Sequence, residues 1–134
     1  MQLFEQIITV TDQHLDSFGH VNNIMYLQWM QDVAWAHSAA LGLDFIGYQK
    51  LDAAMVARHH EMTYLASCFT GDQLLLKTWL TETDGFNLYR QYEFIRLQDK
   101  KVVFEAKTHW VCIRLSNGRP IRMPPEFKKA YIVL

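Results

Sequence analysis

The chain predicts an α+β fold in which one long helix packs on a five-stranded antiparallel sheet. Three observations carry this reading. Residues 22–41 contain neither proline nor glycine and repeat apolar side chains at three- and four-residue steps. Four strand-like runs follow that segment, separated by turn signals, and one such run precedes it. Strand, helix, then a block of strands is the order of an α+β protein, whereas a parallel sheet would alternate the two.

The first strand is expected over residues 2–10, with Ile7, Ile8 and Val10 as its apolar members. Thr11 to Val21 reads as a connection, because Asp12, Asp16, Ser17 and Gly19 supply turn chemistry. Asn22 and Asn23 are N-cap candidates, and Gly42 is a natural C-terminal stop. Within the helix Leu27, Met30, Ala34, His37 and Leu41 form one face, with Tyr26, Val33 and Ala40 alongside. Gln28, Gln31, Asp32 and Ser38 fall opposite, while Trp29 and Trp35 flank the apolar face where a partner subunit could meet them.

A loop holding Gly47 leads to strands at 53–65, 73–81, 86–97 and 102–115. Their turns are Thr70-Gly71-Asp72, Thr83-Asp84-Gly85 and Gln98-Asp99-Lys100, of which the D-G pair is a strong hairpin signal. The four strands are expected to follow one another as antiparallel hairpins. Asn117-Gly118 closes the sheet, and Pro120, Pro124 and Pro125 leave an extended or briefly helical tail. One helix cannot cover both faces of such a sheet. Tyr64, Trp79, Tyr89, Tyr92, Phe94 and Trp110 therefore call for a dimer or larger oligomer.

At 134 residues the chain, 1–134, is a single domain with room for one good core. Half of it is hydrophobic, 20% is charged, and the formal net charge is -1. That balance gives no electrostatic reason to bind nucleic acid or an anionic membrane. No apolar run approaches the roughly 20 residues of a membrane span, and the first residues lack the pattern of a signal peptide. Cys68 and Cys112 form no C-x-x-C pair and are expected as buried free thiols in strands, which makes the cytoplasm the default compartment. No histidine pair with metal-ligand spacing, glycine-rich phosphate loop or serine or cysteine nucleophile motif occurs, so neither metal nor organic cofactor is expected.

The most informative stretch is Asp16-Ser-Phe-Gly-His-Val-Asn-Asn-Ile-Met-Tyr-Leu27. A carboxylate sits in a turn directly ahead of a helix start, where unpaired N–H groups and the positive end of the macrodipole lie. Such N–H groups can stabilise an oxyanion on a bound carbonyl. The carboxylate can attack that carbonyl or activate a water to do so. Each residue also has a plainer role: Asp16 as turn former, His20 as loop-ordering side chain, Asn22 and Asn23 as caps, Tyr26 as core. Asp12 is a competing acid near the end of the first strand, where a structural role is expected, and Glu61 is a second alternative carboxylate. Arg58 and His60, which alternation sends to one face of their strand, suit a phosphate-bearing ligand or a solvated edge equally.

Asp16, Gly19-His20-Val21-Asn22-Asn23, Tyr26 and Trp29, with Val56-Ala-Arg-His-His-Glu-Met-Thr-Tyr64 and Gly71-Asp72, resemble the hotdog-fold acyl-CoA thioesterases of the 4-hydroxybenzoyl-CoA thioesterase type. The resemblance implies a helix wrapped by the sheet and two subunits that join their sheets edge to edge as a homodimer, or a homotetramer built from such dimers. It implies an active site at the subunit interface with Asp16 as the catalytic acid. Asn23 stands where several members carry a histidine, and it can donate to a carbonyl but cannot act as a general base. Ser17 replaces the proline that often follows the aspartate. The expected reaction is hydrolysis of an acyl thioester carried on CoA or on acyl carrier protein, with His20, Asn22, Tyr26, Arg58 and His60 as substrate contacts. Two rivals remain open: an enoyl-thioester hydratase or dehydratase, and a non-catalytic acyl-CoA-binding module.

Overall fold

The structure is a computed structural model and describes residues 2–134. Five strands form one antiparallel sheet: β1 (Phe4–Thr9), β2 (Ala53–Tyr64), β3 (Gln73–Thr83), β4 (Asn87–Arg96) and β5 (Lys101–Arg114). The order across the sheet is β1-β3-β4-β5-β2, which leaves β1 and β2 as its edges. The long helix α1 (Asn23–Ala40) lies on the sheet, and two short helices follow: α2 (Phe45–Leu51) and α3 (Pro125–Ala130). Among the described residues no helix is long and apolar enough to cross a membrane.

Three hairpins in a row do not form. β3 pairs β4 and β4 pairs β5, but β2 pairs β5 instead of β3. The segment from Leu65 to Asp72 is therefore a crossover and not a turn. It is held by N–H bonds from Leu65 and Ala66 to the Val103 carbonyl and by the Val21 N–H bond to the Cys68 carbonyl. Cys68 is fully buried in this crossover and not in a strand, whereas Cys112 is in β5, and both thiols are free.

The core follows the two periodicities. Leu74, Leu76, Thr78 and Leu80 on β3 and Leu88, Arg90, Tyr92 and Phe94 on β4 alternate into it. Tyr26, Met30, Val33, Ala34 and His37 of α1 meet them from above. Three positions of α1 depart from expectation. Ser38, assigned to the polar side, is buried because its hydroxyl reaches the Leu43 carbonyl and the Tyr131 hydroxyl, and Ala40 is exposed instead. Trp29 is buried against Tyr26 and His14 and cannot greet a partner, whereas Trp35 remains 44% exposed.

The residues around Gly47 are helical and not a loop. Asp44 caps α2 by accepting the Gly47 N–H at 2.8 Å. Asp12 lies in a short 3-10 turn beyond β1 and accepts from the Thr70 hydroxyl at 2.6 Å, which ties the loop before α1 to the crossover.

Candidate active site

The loop that enters α1 is a closed ring. Leu15 and Val21 form an isolated antiparallel bridge, and inside it the Asp16 N–H donates to the His20 carbonyl at 2.8 Å. Gly19 occupies the left-handed region at φ +77°, which an L side chain would resist, and its N–H donates to the Asp16 carbonyl. The Asp16 carboxylate closes the ring from within: Oδ1 accepts the N–H of Phe18 at 2.9 Å and of His20 at 3.3 Å. Those bonds occupy Oδ1. Oδ2 makes no hydrogen bond or ion pair within the protein among the described residues.

Asn22 is the N-cap of α1, and its side chain accepts the Ile24 N–H at 3.1 Å. The Met25 N–H donates to the Asn22 carbonyl. This leaves the N–H of Asn23, the first helical residue, without an acceptor among the described residues. The Asn23 side chain is exposed, and its carbonyl accepts from the Tyr64 hydroxyl at the end of β2. A half-buried carboxylate and a free helix-start N–H thus stand within one short loop.

The other residues singled out in the sequence take varied places. His20 is exposed, with its ring edge-on to Phe69 and 3.5 Å from the Ser67 hydroxyl, so it engages Asp16 through its backbone and not as an imidazole–carboxylate pair. Tyr26 is buried among Trp29, Tyr64, Phe94 and Phe104. Burial drives its phenol pKa well upward, and its hydroxyl meets the Cys68 thiol.

Alternation fails for Arg58 and His60, because a bulge interrupts the β2–β5 register between Ala57 and His59. Arg58 is exposed at the bulge, while His60 is half-buried and bonds Thr108 Oγ1 through Nδ1 at 2.8 Å. The Thr108 proton goes to the Tyr92 hydroxyl, so His60 donates from Nδ1. Burial, and then the neighbouring His59, hold the His60 pKa below its ordinary value. Glu61 lies exposed in β2. Among the described residues no cluster of three or more His, Cys, Asp or Glu side chains is placed to hold a metal ion.

A second group escaped the sequence reading. A cavity of about 260 Å³ lies between α1 and the sheet, with Ala34, Ser38, Tyr48, Arg90, Trp110 and Tyr131 in its wall. Arg90 is 3% exposed, and its Nη1 donates to His37 Nδ1 at 2.9 Å and to Thr78 Oγ1 at 3.0 Å. The signal was present: Leu88, Arg90, Tyr92 and Phe94 share one period-2 face of β4.

A long helix wrapped by an antiparallel sheet, with an acid-bearing loop at the helix start, is the architecture of the hotdog fold. The chain belongs to the thioesterase-like superfamily, whose family model matches residues 10–131. It is 24% identical to the acyl-acyl carrier protein thioesterase ATL3 of Arabidopsis thaliana chloroplasts, over 98% of this chain and 70% of that protein. Its fold matches a 1,4-dihydroxy-2-naphthoyl-CoA thioesterase from Synechocystis with a TM-score of 0.88 at 22% identity, covering 96% of this chain and 95% of the other. A Staphylococcus aureus protein solved in complex with CoA matches with a TM-score of 0.90 at 20% identity, covering 96% and 81%.

Proposed function

We propose that this protein is an acyl-CoA thioesterase in which Asp16 carries the chemistry. The observation behind this is the loop geometry: one carboxylate oxygen is anchored by two backbone N–H groups while the other stays free, one short loop ahead of an unpaired helix-start N–H. Family membership and the thioester hydrolases among the relatives support the same reaction class.

In this reading the thioester carbonyl oxygen accepts from the Asn23 N–H, with the Asn23 side-chain amide as a second donor. Charge that develops on that oxygen is stabilised by fixed dipoles that need no reorganisation. Asp16 either attacks the carbonyl carbon or takes a proton from an attacking water. When Asp16 attacks, collapse of the tetrahedral species expels the CoA thiolate and leaves an acyl–Asp16 anhydride, which water then hydrolyses to the free acid. When water attacks, the same collapse gives the free acid directly. In both cases the thiolate takes up a proton to leave as CoA. Thiolate is a good leaving group, so the reaction needs no cofactor. Asn22 sets the helix start and His20 orders the loop around the acid. Tyr26 backs the site from the core, and Arg58 and His60 on β2 are offered to the phosphate-bearing tail of the carrier.

The acting form is a homodimer or a homotetramer of such dimers. β2 is a 12-residue edge strand with an unpaired side, a ready template for a second copy. Phe18 at 85% and Ile24 at 71% exposure flank the acid loop, where a partner would cover them. Free-thiol release from short, long and aromatic acyl-CoAs, with acyl carrier protein thioesters beside them, tests the reaction class and ranks the carriers. Binding without release on every member would leave a non-catalytic module.

A further inference from the structure

The cavity between α1 and the sheet has no part in the chemistry at Asp16, and neither Asp16 nor Asn23 lines it. Its position follows from how the helix lies. α1 packs most closely on β3 and β1, so its hold on the sheet weakens towards β2. At the helix start the Tyr64 side chain spans that gap to Asn23. Further along the helix the gap opens as the cavity, with Ala34 and Ser38 of α1 on one side and Met55, Val56 and Ala57 of β2 on the other.

The polar side chains in the wall are committed to the protein. Ser38 Oγ bonds the Leu43 carbonyl and the Tyr131 hydroxyl, and Tyr131 bonds Tyr48. Arg90 Nη1 is engaged by His37 and Thr78, while Arg90 Nε and the indole Nε1 of Trp110 are shut away from the open space. These groups ask nothing of a guest. The rest of the lining is largely apolar, with Ala34, Met55, Val56, Ala57 and Leu88. Hydrocarbon gains by entering such a space, up to about four-fold in affinity per buried methylene. A volume of about 260 Å³ lies just below the roughly 300–1,000 Å³ of whole-ligand pockets and suits one end of a ligand.

One side of α1 leads from the helix start to this space. Asn23, Leu27, Gln31 and Trp35 step by four residues and so lie one above another, and the last two line the cavity. Asn23, Gln31 and Trp35 are exposed and Leu27 is half-buried, which leaves the track open. At roughly 1.5 Å per residue the helix climbs about 12 Å from Asn23 to Gln31 and about 22 Å to Ser38. An extended chain gains about 1.2 Å per bond, so one anchored at Asn23 reaches the cavity after about 10 bonds and its far wall after about 18. A benzoyl or naphthoyl group ends well short of it.

We propose that this cavity receives the methyl end of a long, unsubstituted acyl chain, and that Ala34 and Ala57 keep it open, so that the protein selects fatty acyl groups of about 12–18 carbons over short and aromatic ones. This rests on the acyl-thioester reading above for the carrier and for the carbonyl anchored at Asn23; the length is read from the helix and the cavity.

The test uses CoA thioethers, which bind but cannot be hydrolysed: hexyl, decyl, tetradecyl and hexadecyl chains and a benzyl group, each below the concentration at which it self-associates. Titration calorimetry on the wild-type protein should show affinity rising about two- to four-fold per methylene from decyl to hexadecyl. Hexadecyl should then bind about fifty-fold or more tighter than hexyl or benzyl. Ala34→Phe places a ring in the space from the helix and should flatten the rise, bringing hexadecyl within a few-fold of decyl. Ala34 is buried, so if that variant fails to fold, Ala57→Phe enters from the exposed edge strand and should do the same. A flat series, tightest binding of the benzyl thioether, or a rise that survives both substitutions overturns the proposal. Thiol release from the matching thioesters separates the two readings: a rise with chain length but no release removes the hydrolase and keeps the pocket, and release with no rise does the reverse.

Discussion

The Tyr64 hydroxyl donates to the carbonyl of Asn23 across 3.2 Å and so joins the last residue of an edge strand to the first residue of the central helix. Tyr64 also packs edge-on against Tyr26, and both rings rest on Phe104. The helix start is thereby fixed relative to the sheet and not only to its own loop. Tyr64→Phe keeps the ring and removes the tie. We expect a loss of about 0.5–1 kcal/mol, seen as a melting temperature lower by about 2–5 °C. Thioester turnover should fall a few-fold because the Asn23 N–H is less well held. An unchanged melting temperature and unchanged turnover would show that the bond contributes nothing.

Asn22 separates stability from catalysis. Asn22→Ala removes the side-chain cap on the Ile24 N–H and should cost about 1 kcal/mol by urea denaturation. Asn22→Asp keeps an equivalent acceptor and adds a charge that favours a helix N-terminus, so stability should be retained. The same negative charge would oppose an oxyanion forming at Asn23. Asn22→Asp should therefore be as stable as wild type and slower in kcat, and equal kcat in the two would argue against carbonyl binding at this helix start.

His60 gives stability a pH dependence with a definite sign. Its pKa is depressed in the folded protein by burial first and by His59 second. The unfolded chain then binds a proton near the ordinary 6.5 while the folded chain does not. The stabilising contribution is complete above about 6.5 and is lost as pH falls below it towards the depressed folded value. Urea midpoints between pH 7.5 and 5 should fall for wild type, and the fall should be shallower for His60→Gln. Parallel slopes would remove His60 from the account.

Local chemistry was legible where it acts within a few residues. The period of α1, the N-cap at Asn22, the D-G turn after β3 and the alternation of β3 were all readable, because each depends on neighbours in sequence. Strand order was not. β2 pairs β5 across forty residues or more, and the Gly71-Asp72 turn signal looks the same whether it ends a hairpin or a crossover. The bulge at Arg58 was hidden for a similar reason, since it is a property of the pairing and not of β2 alone. The Asp16 loop was singled out by its residues, but the two N–H bonds that leave one carboxylate oxygen free are visible only in three dimensions. Arg90 was passed over because a cation on an apolar face contradicts the pattern that identifies the face.

The central claim is that Asp16 performs the chemistry, and one substitution addresses it most directly. Asp16→Asn keeps the Oδ1 acceptor for the Phe18 and His20 N–H groups, so the loop should hold and the melting temperature should change little. It removes the nucleophile or base. With the best thioester of the panel, kcat/KM should fall by about a thousandfold or more, a loss on the order of 4 kcal/mol of transition-state stabilisation. A folded Asp16→Asn protein that releases thiol at the wild-type rate would contradict the account and shift attention to Glu61.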